Sequence, residues 1–164
     1  MPTHKTKSQP KSASNSEWAE RLRYFESRKD ALVQTIREFV EVESPSDSKV
    51  ASDHMGTILA NKFGTIGGRA TVHRAEEHAD NIQIDFAGKP GVKPVLLLGH
   101  FDTVYPLGTL ANMPCAIKNG RLHGPGVLDM KSGVALAMQA IEGLRSQRSA
   151  GRATRLKAMR VVGR

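Results

Sequence analysis

The stretch Val95-Leu96-Leu97-Leu98 constrains the fold more than any other part of this 164-residue chain, because its apolar residues stand in a row without alternation. A strand with one wet face alternates apolar and polar residues. An unbroken run suits a strand covered on both faces in the middle of a sheet. Residues 69–74, 81–86 and 92–98 are short, partly β-branched runs separated by turn residues, and they read as strands. Helical periodicity frames them. From Ser16, an amphipathic run sets Trp18, Leu22, Phe25, Leu32, Ile36, Phe39 and Val40 mostly at steps of three, four and seven. Ser44-Pro45-Ser46 closes that run, since the residue before a proline is disfavoured as helix. A second helix is expected over about 48–63, before Gly64, Gly67 and Gly68, and a third over 132–144 with Val134, Leu136, Met138, Ile141 and Leu144 as its apolar content. Strands followed by helices indicate an α/β fold with a central, mostly parallel sheet flanked by helices. No internal repeat is visible.

A chain of 164 residues is long enough for one domain with a real core and too short to expect two. Its 39% hydrophobic and 24% charged residues are ordinary for a soluble globular protein. The lone Cys115 forms no internal disulfide, which points to a reducing compartment. The first fifteen residues carry basic groups but no apolar core of a secretory signal, and no apolar run approaches membrane-spanning length. The expectation is a cytoplasmic protein with no membrane partner. The net charge of +8 sits at the ends: Lys5, Lys7 and Lys11 lie in 1–15, and seven basic residues with no acid lie in 145–164. Taking these ten away leaves 14 basic residues against 16 acids in 16–144, so the body is mildly acidic. The division expected is a disordered tail over 1–15, a folded body over 16–144, and a basic tail over 145–164. That last segment reads either as a loop leading into a strand or as out-of-frame translation.

Two constellations carry chemistry. His100-Phe101-Asp102-Thr103-Val104 directly follows the apolar strand, at the carboxyl end where open α/β sheets place their ligands. An imidazole there can give a lone pair to Zn²⁺, and an aspartate two residues on can accept the other ring N–H. Alone, His-x-Asp reads equally as a polar strand end with a local hydrogen bond. The second is Gly120-Arg121-Leu122-His123-Gly124-Pro125-Gly126-Val127-Leu128-Asp129-Met130-Lys131-Ser132-Gly133, a tight loop that projects Asp129 at the start of a helix. Asp129 is either an N-cap or a carboxylate able to bridge two metal ions. Glu76-Glu77, with His78 and Asp80, reads as a solvated turn. Lys131-Ser132 lacks the glycines of a phosphate-binding loop, so nucleotide binding is rejected. His123 and Cys115 are expected to pack.

Taken together, L-L-L-G-H-x-D-T-V over 96–104 and G-R-L-x-G-x-G-x-x-D-M-K-x-G over 120–133 resemble the paired signature of the acetylornithine deacetylase, succinyl-diaminopimelate desuccinylase and glutamate carboxypeptidase family. Tyr105-Pro106 and Gly124-Pro125-Gly126 look most like the glutamate carboxypeptidase branch. The resemblance implies a zinc-dependent amide or peptide hydrolase in which His100 ligates one zinc, Asp102 orients His100, and Asp129 bridges two zincs. Such metals lie about 3.5–4 Å apart, polarise the amide carbonyl and activate a water. A glutamate general base then passes the proton to the leaving amine. The implied substrates are N-acyl amino acids or short peptides with a free carboxylate.

The family places its general-base glutamate and a neighbouring ligand glutamate on the strand after the Asp129 helix, and this chain has no acid after Glu142. The resemblance therefore implies an N-terminal fragment: an incomplete catalytic domain with two of five family zinc ligands, weak or absent zinc binding, and no activity of its own. The rival is non-catalytic association, as a homo-oligomer or through an unpaired sheet edge, or a pseudogene product without a role. Nucleic-acid contact through the basic ends would be non-specific and salt-sensitive.

Overall fold

The computed structural model describes residues 15–88, 93, 95–149 and 158–162, with side chains described as far as residue 146. The long amphipathic run forms two helices rather than one, α1 (Asn15–Glu26) and α2 (Lys29–Val40). The break at Ser27-Arg28 has a local cause. The Ser27 hydroxyl donates to the Tyr24 carbonyl at 2.8 Å, and Arg28 leaves helical geometry at φ −110°, ψ 9°. Periodicity survives the break, which hides it from the sequence. Trp18 and Leu22 stay exposed on α1. The helix docks instead through Tyr24 and Phe25 on α5 (Ser132–Ser149), where a Cβ at Gly143 would lie 2.8 Å from the Tyr24 ring. Only glycine admits so close an approach.

α3 (Lys49–Thr65) precedes the hairpin of β1 (Arg69–His73) and β2 (Asn81–Asp85), and β3 (Leu96–His100) follows. Ala158–Val162 forms a further strand, β6, between β2 and β3 in the order β1-β2-β6-β3. β6 is parallel to β3 (Leu96 beside Ala158, His100 beside Val162) and antiparallel to β2. The fold is α/β as expected, but of the strand pairs in this sheet among the described residues only β3–β6 is parallel, so the sheet is mixed rather than mostly parallel. The expected tail over 1–15 falls, except for Asn15, outside the described residues.

The central placement of β3 is overturned. It is an edge strand whose outer side has no partner among the described residues, with Leu96 62% and Leu98 66% exposed. Leu97 and Gly99 face inward: Leu97 packs on the core, and a Cβ at Gly99 would meet the Met130 side chain. Apolarity on both faces of a strand does not say which face its own chain covers.

The core lies between that inner face and the helices. Ile36, Phe39 and Val40 from α2 meet Met55, Leu59 and Phe63 from α3, Ile82 and Ile84 from β2, and Val134 and Ile141 from α5. Each such side chain contributes about 1.5–3 kcal/mol by leaving water. Two short features escaped sequence reading: helix α4 (Thr109–Asn112), and the hairpin β4 (Ala116–Lys118)–β5 (Arg121–His123) turned by Asn119-Gly120 at φ 51° and 72°. Asn-Gly is the strongest short hairpin signal, and it was available. No helix among the described residues is long and apolar enough to cross a membrane.

The turn holding Glu76-Glu77 is also corrected in part. Both glutamates are exposed, but Asp80 is buried. Its carboxylate accepts from Lys49 Nζ at 2.7 Å, Arg74 Nη1 at 2.6 Å and the Ala75 N–H at 3.1 Å, while its own N–H donates to Asp53. Burial alone would raise its pKa, but Lys49, the Ala75 N–H and Arg74 outweigh this and hold it below the usual aspartate value. Asp80 thus ties the β1–β2 turn to α3. Asp80→Ala should cost about 2 kcal/mol in urea unfolding, below the ~3–5 kcal/mol of a fully buried pair because Arg74 reaches solvent and Lys49 keeps Asp53 as a partner. An unchanged midpoint would show the network to be idle.

Candidate metal centre

At the carboxyl end of β3 the chain alternates. His100 and Asp102 turn toward a cleft of about 550 Å³ while Phe101, between them, turns into the core with no exposed surface. The second wall is the loop carrying Gly124-Pro125-Gly126 and Asp129. Gly126 sits at φ +71°, and a Cβ there would lie 2.5 Å from the Thr103 methyl. Both the backbone conformation and the space require glycine, so the loop can close against the His100 segment. Lys131 N–H donates to the Gly126 carbonyl at 3.0 Å and completes the turn.

The loop delivers Asp129 in an extended conformation, φ −122° and ψ 96°, with its side chain 84% exposed. Its Oδ1 lies 2.9 Å from His100 Nε2. Among the described residues that imidazole is the carboxylate's hydrogen-bond partner, and no backbone N–H at the head of α5 takes it. The N-cap alternative therefore finds no bond to support it. On the other side of the ring, His100 Nδ1 lies 3.1 Å from the Asp102 carbonyl oxygen and 3.3 Å from Asp102 Oδ1. Asp102 is buried, and its Oδ1 has no hydrogen bond among the described residues. The other oxygen, Oδ2, accepts from the Ser46 hydroxyl at 2.6 Å.

The donor set suits a divalent cation with nitrogen and oxygen preferences. Two ligand atoms about 2.0–2.1 Å from one ion stand about 2.9 Å apart when they subtend a right angle, and slightly farther at a tetrahedral one. Asp129 still has its second oxygen for another ion. Beyond this pair, no group of three or more His, Cys, Asp or Glu side chains gathers among the described residues.

Several neighbours were missed or misread in sequence. His123 is exposed on β5 and lines the cleft, so it does not pack as expected. Cys115 does pack against the core, and burial raises its thiol pKa. Lys131 is buried, its Nζ donating to the Val42 carbonyl at 2.6 Å, and burial lowers its pKa to about 8 against the pull of Glu43 and Asp102. Glu43 accepts from the N–H groups of Leu110 at 2.8 Å and Gly108 at 2.6 Å, which hold its carboxyl below the usual range. The glutamate thereby fixes α4 beside the cleft. The only sequence signal for Glu43 was its closeness to Ser44-Pro45-Ser46, which reads as a helix stop and nothing more, while Lys131 stands inside the 120–133 motif.

Known proteins share this architecture. The sequence model of peptidase family M20/M25/M40 matches residues 96–155, the segment that holds His100, Asp102 and Asp129. Carboxypeptidase G2 of Pseudomonas sp. (strain RS-16) is 29% identical over 116 residues, covering 68% of this chain and 27% of that protein. Human carnosine dipeptidase 1 superposes with a TM-score of 0.74 at 19% identity, over 88% of this chain and 34% of that one. The M20 family metallo-carboxypeptidase Sso-CP2 from Sulfolobus solfataricus gives a TM-score of 0.66 at 18% identity, over 80% and 30%. The chain thus spans about a quarter to a third of the length of these relatives. Residues 96–155 of this chain are thus similar to peptidase family M20/M25/M40, and its fold is that of the metallopeptidases it superposes on.

Proposed function

We propose that this chain supplies His100 and Asp129 as ligands of a two-zinc centre for amide or peptide hydrolysis, with Asp102 orienting His100. The observation that carries the reading is the 2.9 Å approach of His100 Nε2 to an exposed Asp129 carboxylate, with a buried Asp102 oxygen behind Nδ1. Zinc held there would polarise the scissile carbonyl and lower the pKa of a bound water. The residues of this chain bind and orient. Asp102 presents its carbonyl oxygen and Oδ1 to Nδ1, and a proton held there would free the Nε2 lone pair for a cation shared with Asp129. Gly126 lets the Asp129 loop close, and Phe101 anchors the histidine strand in the core. The cleft, bordered by Thr103, Tyr105 and Leu122, offers room for a small molecule. N-acyl amino acids or short peptides with a free carboxylate are the substrate class proposed.

With two such ligands among the described residues where zinc sites ordinarily use three or four, the 164-residue chain alone is expected to hold zinc weakly and to hydrolyse nothing. Zinc calorimetry on the purified chain should give one weak site, and His100→Ala or Asp129→Ala should each weaken it by tenfold or more. Equal zinc binding by both variants would contradict the assignment. Turnover of an N-acyl-glutamate by the pure chain would contradict the expected inactivity.

A further inference from the structure

The segment that closes α2 reaches directly into the site. Pro45 forms a parallel bridge with Thr103. Thr103 N–H donates to the Ser44 carbonyl at 2.8 Å, Ser46 N–H donates to the Thr103 carbonyl at 2.9 Å, and the Ser44 hydroxyl donates to the Phe101 carbonyl at 2.7 Å. These bonds fix the main chain on both sides of Asp102. Only one contact of the segment reaches the Asp102 side chain itself: the Ser46 hydroxyl, 2.6 Å from Oδ2. The Thr103 carbonyl lies 3.2 Å from the same hydroxyl. A hydroxyl has one proton, and the shorter contact to the carboxylate takes it. With Oδ2 committed, the carboxylate cannot turn freely about its bond, and Oδ1 stays buried 3.3 Å from His100 Nδ1, beside the Asp102 carbonyl oxygen at 3.1 Å from the same nitrogen.

We propose that Ser46 is a positioning residue for His100: by anchoring Asp102 Oδ2 it holds Oδ1 beside Nδ1, where with the Asp102 carbonyl it favours the ring proton on Nδ1 and so frees the Nε2 lone pair for a cation shared with Asp129. The inference rests on the proposed zinc site for its purpose, but on the Ser46–Asp102–His100 contacts for its mechanism. Removing the hydroxyl leaves the backbone bonds of Ser44 and Ser46 in place, so Ser46→Ala keeps the segment while freeing the carboxylate. Outer partners of this kind typically alter metal affinity by about 10–100-fold.

The test uses imidazole ¹⁵N–¹H correlation spectra of the full 164-residue chain, first in an Asp129→Ala background where no carboxylate competes for Nε2. His100 should be mainly the Nδ1–H tautomer. Ser46→Ala should shift the tautomer ratio by about tenfold toward Nε2–H, a change typical of losing one hydrogen bond to a charged group, and Ser46→Thr should restore it. An unchanged ratio in Ser46→Ala, or no recovery in Ser46→Thr with an intact backbone spectrum, overturns the proposal. With Asp129 restored, zinc added stepwise should move the His100 resonances, with about tenfold weaker apparent affinity in Ser46→Ala. If zinc leaves those resonances unmoved while the tautomer still responds to Ser46, the zinc reading fails and the positioning role stands.

Discussion

Phe101→Ala is expected to destabilise the chain by about 3–5 kcal/mol, the range for truncating a fully buried aromatic ring. The ring has no exposed surface, and its tip lies 3.4 Å from where a Cβ on Gly56 of α3 would be, beside Ile82. Helix, sheet and site segment therefore meet on this one side chain. Truncation loses the transfer energy of the ring and leaves a space that a backbone fixed by Ser44 and Thr103 cannot collapse into. Domains of this size commonly have about 5–15 kcal/mol in total, so the variant should unfold at much lower urea. Phe101→Leu should keep more than half of the loss. Urea melts followed by circular dichroism give the answer, and a cost below about 1 kcal/mol would mean the ring is not the joint between core and site.

Lys131 should give the chain an unusual alkaline dependence. Burial lowers its pKa from 10.5 to about 8, only partly countered by Glu43 and Asp102. The folded value lies below the unfolded one. Between about 8 and 10.5 the unfolded chain therefore holds a proton that the native chain has shed, and stability rises with pH across that window. Below the folded value the native state bears the full cost of a buried ammonium, on the order of 3 kcal/mol. Lys131→Met keeps the length and removes the charge. Relative to this variant, the native chain should gain about 2–3 kcal/mol of unfolding free energy between pH 7 and pH 10. Subtracting the variant removes the titration of groups such as Lys49, whose hydrogen bonds to Asp80 and Asp53 raise its pKa. Parallel stability curves for the two proteins would show that the ammonium is solvated.

What the sequence made legible follows from local physics. Ser132 begins its helix as periodicity requires, Asn81–Asp85 shows its strand through Ile82 and Ile84, and the His100 and Asp129 motifs are read directly from residue order. Non-local facts were hidden. Leu96 and Leu98 look like core residues, because an apolar side chain records a preference for cover and not what supplies it. The strand order β1-β2-β6-β3 places Ala158–Val162 beside both β2 and β3, a pairing that no local pattern in Arg-rich sequence announces. Asp80 resembles any acid in a polar turn until Lys49, 31 residues earlier, is seen to reach it. Ser46 likewise gains its role from Asp102, 56 residues away.

The convergence of His100 and Asp129 on one ion is tested most directly by crystals of the chain soaked in zinc and measured on both sides of the zinc absorption edge. An anomalous peak within bonding distance of both His100 Nε2 and the Asp129 carboxylate is the expected result. A peak bound only elsewhere on the chain, such as on His123, with the His100–Asp129 pair left in direct contact, would contradict it.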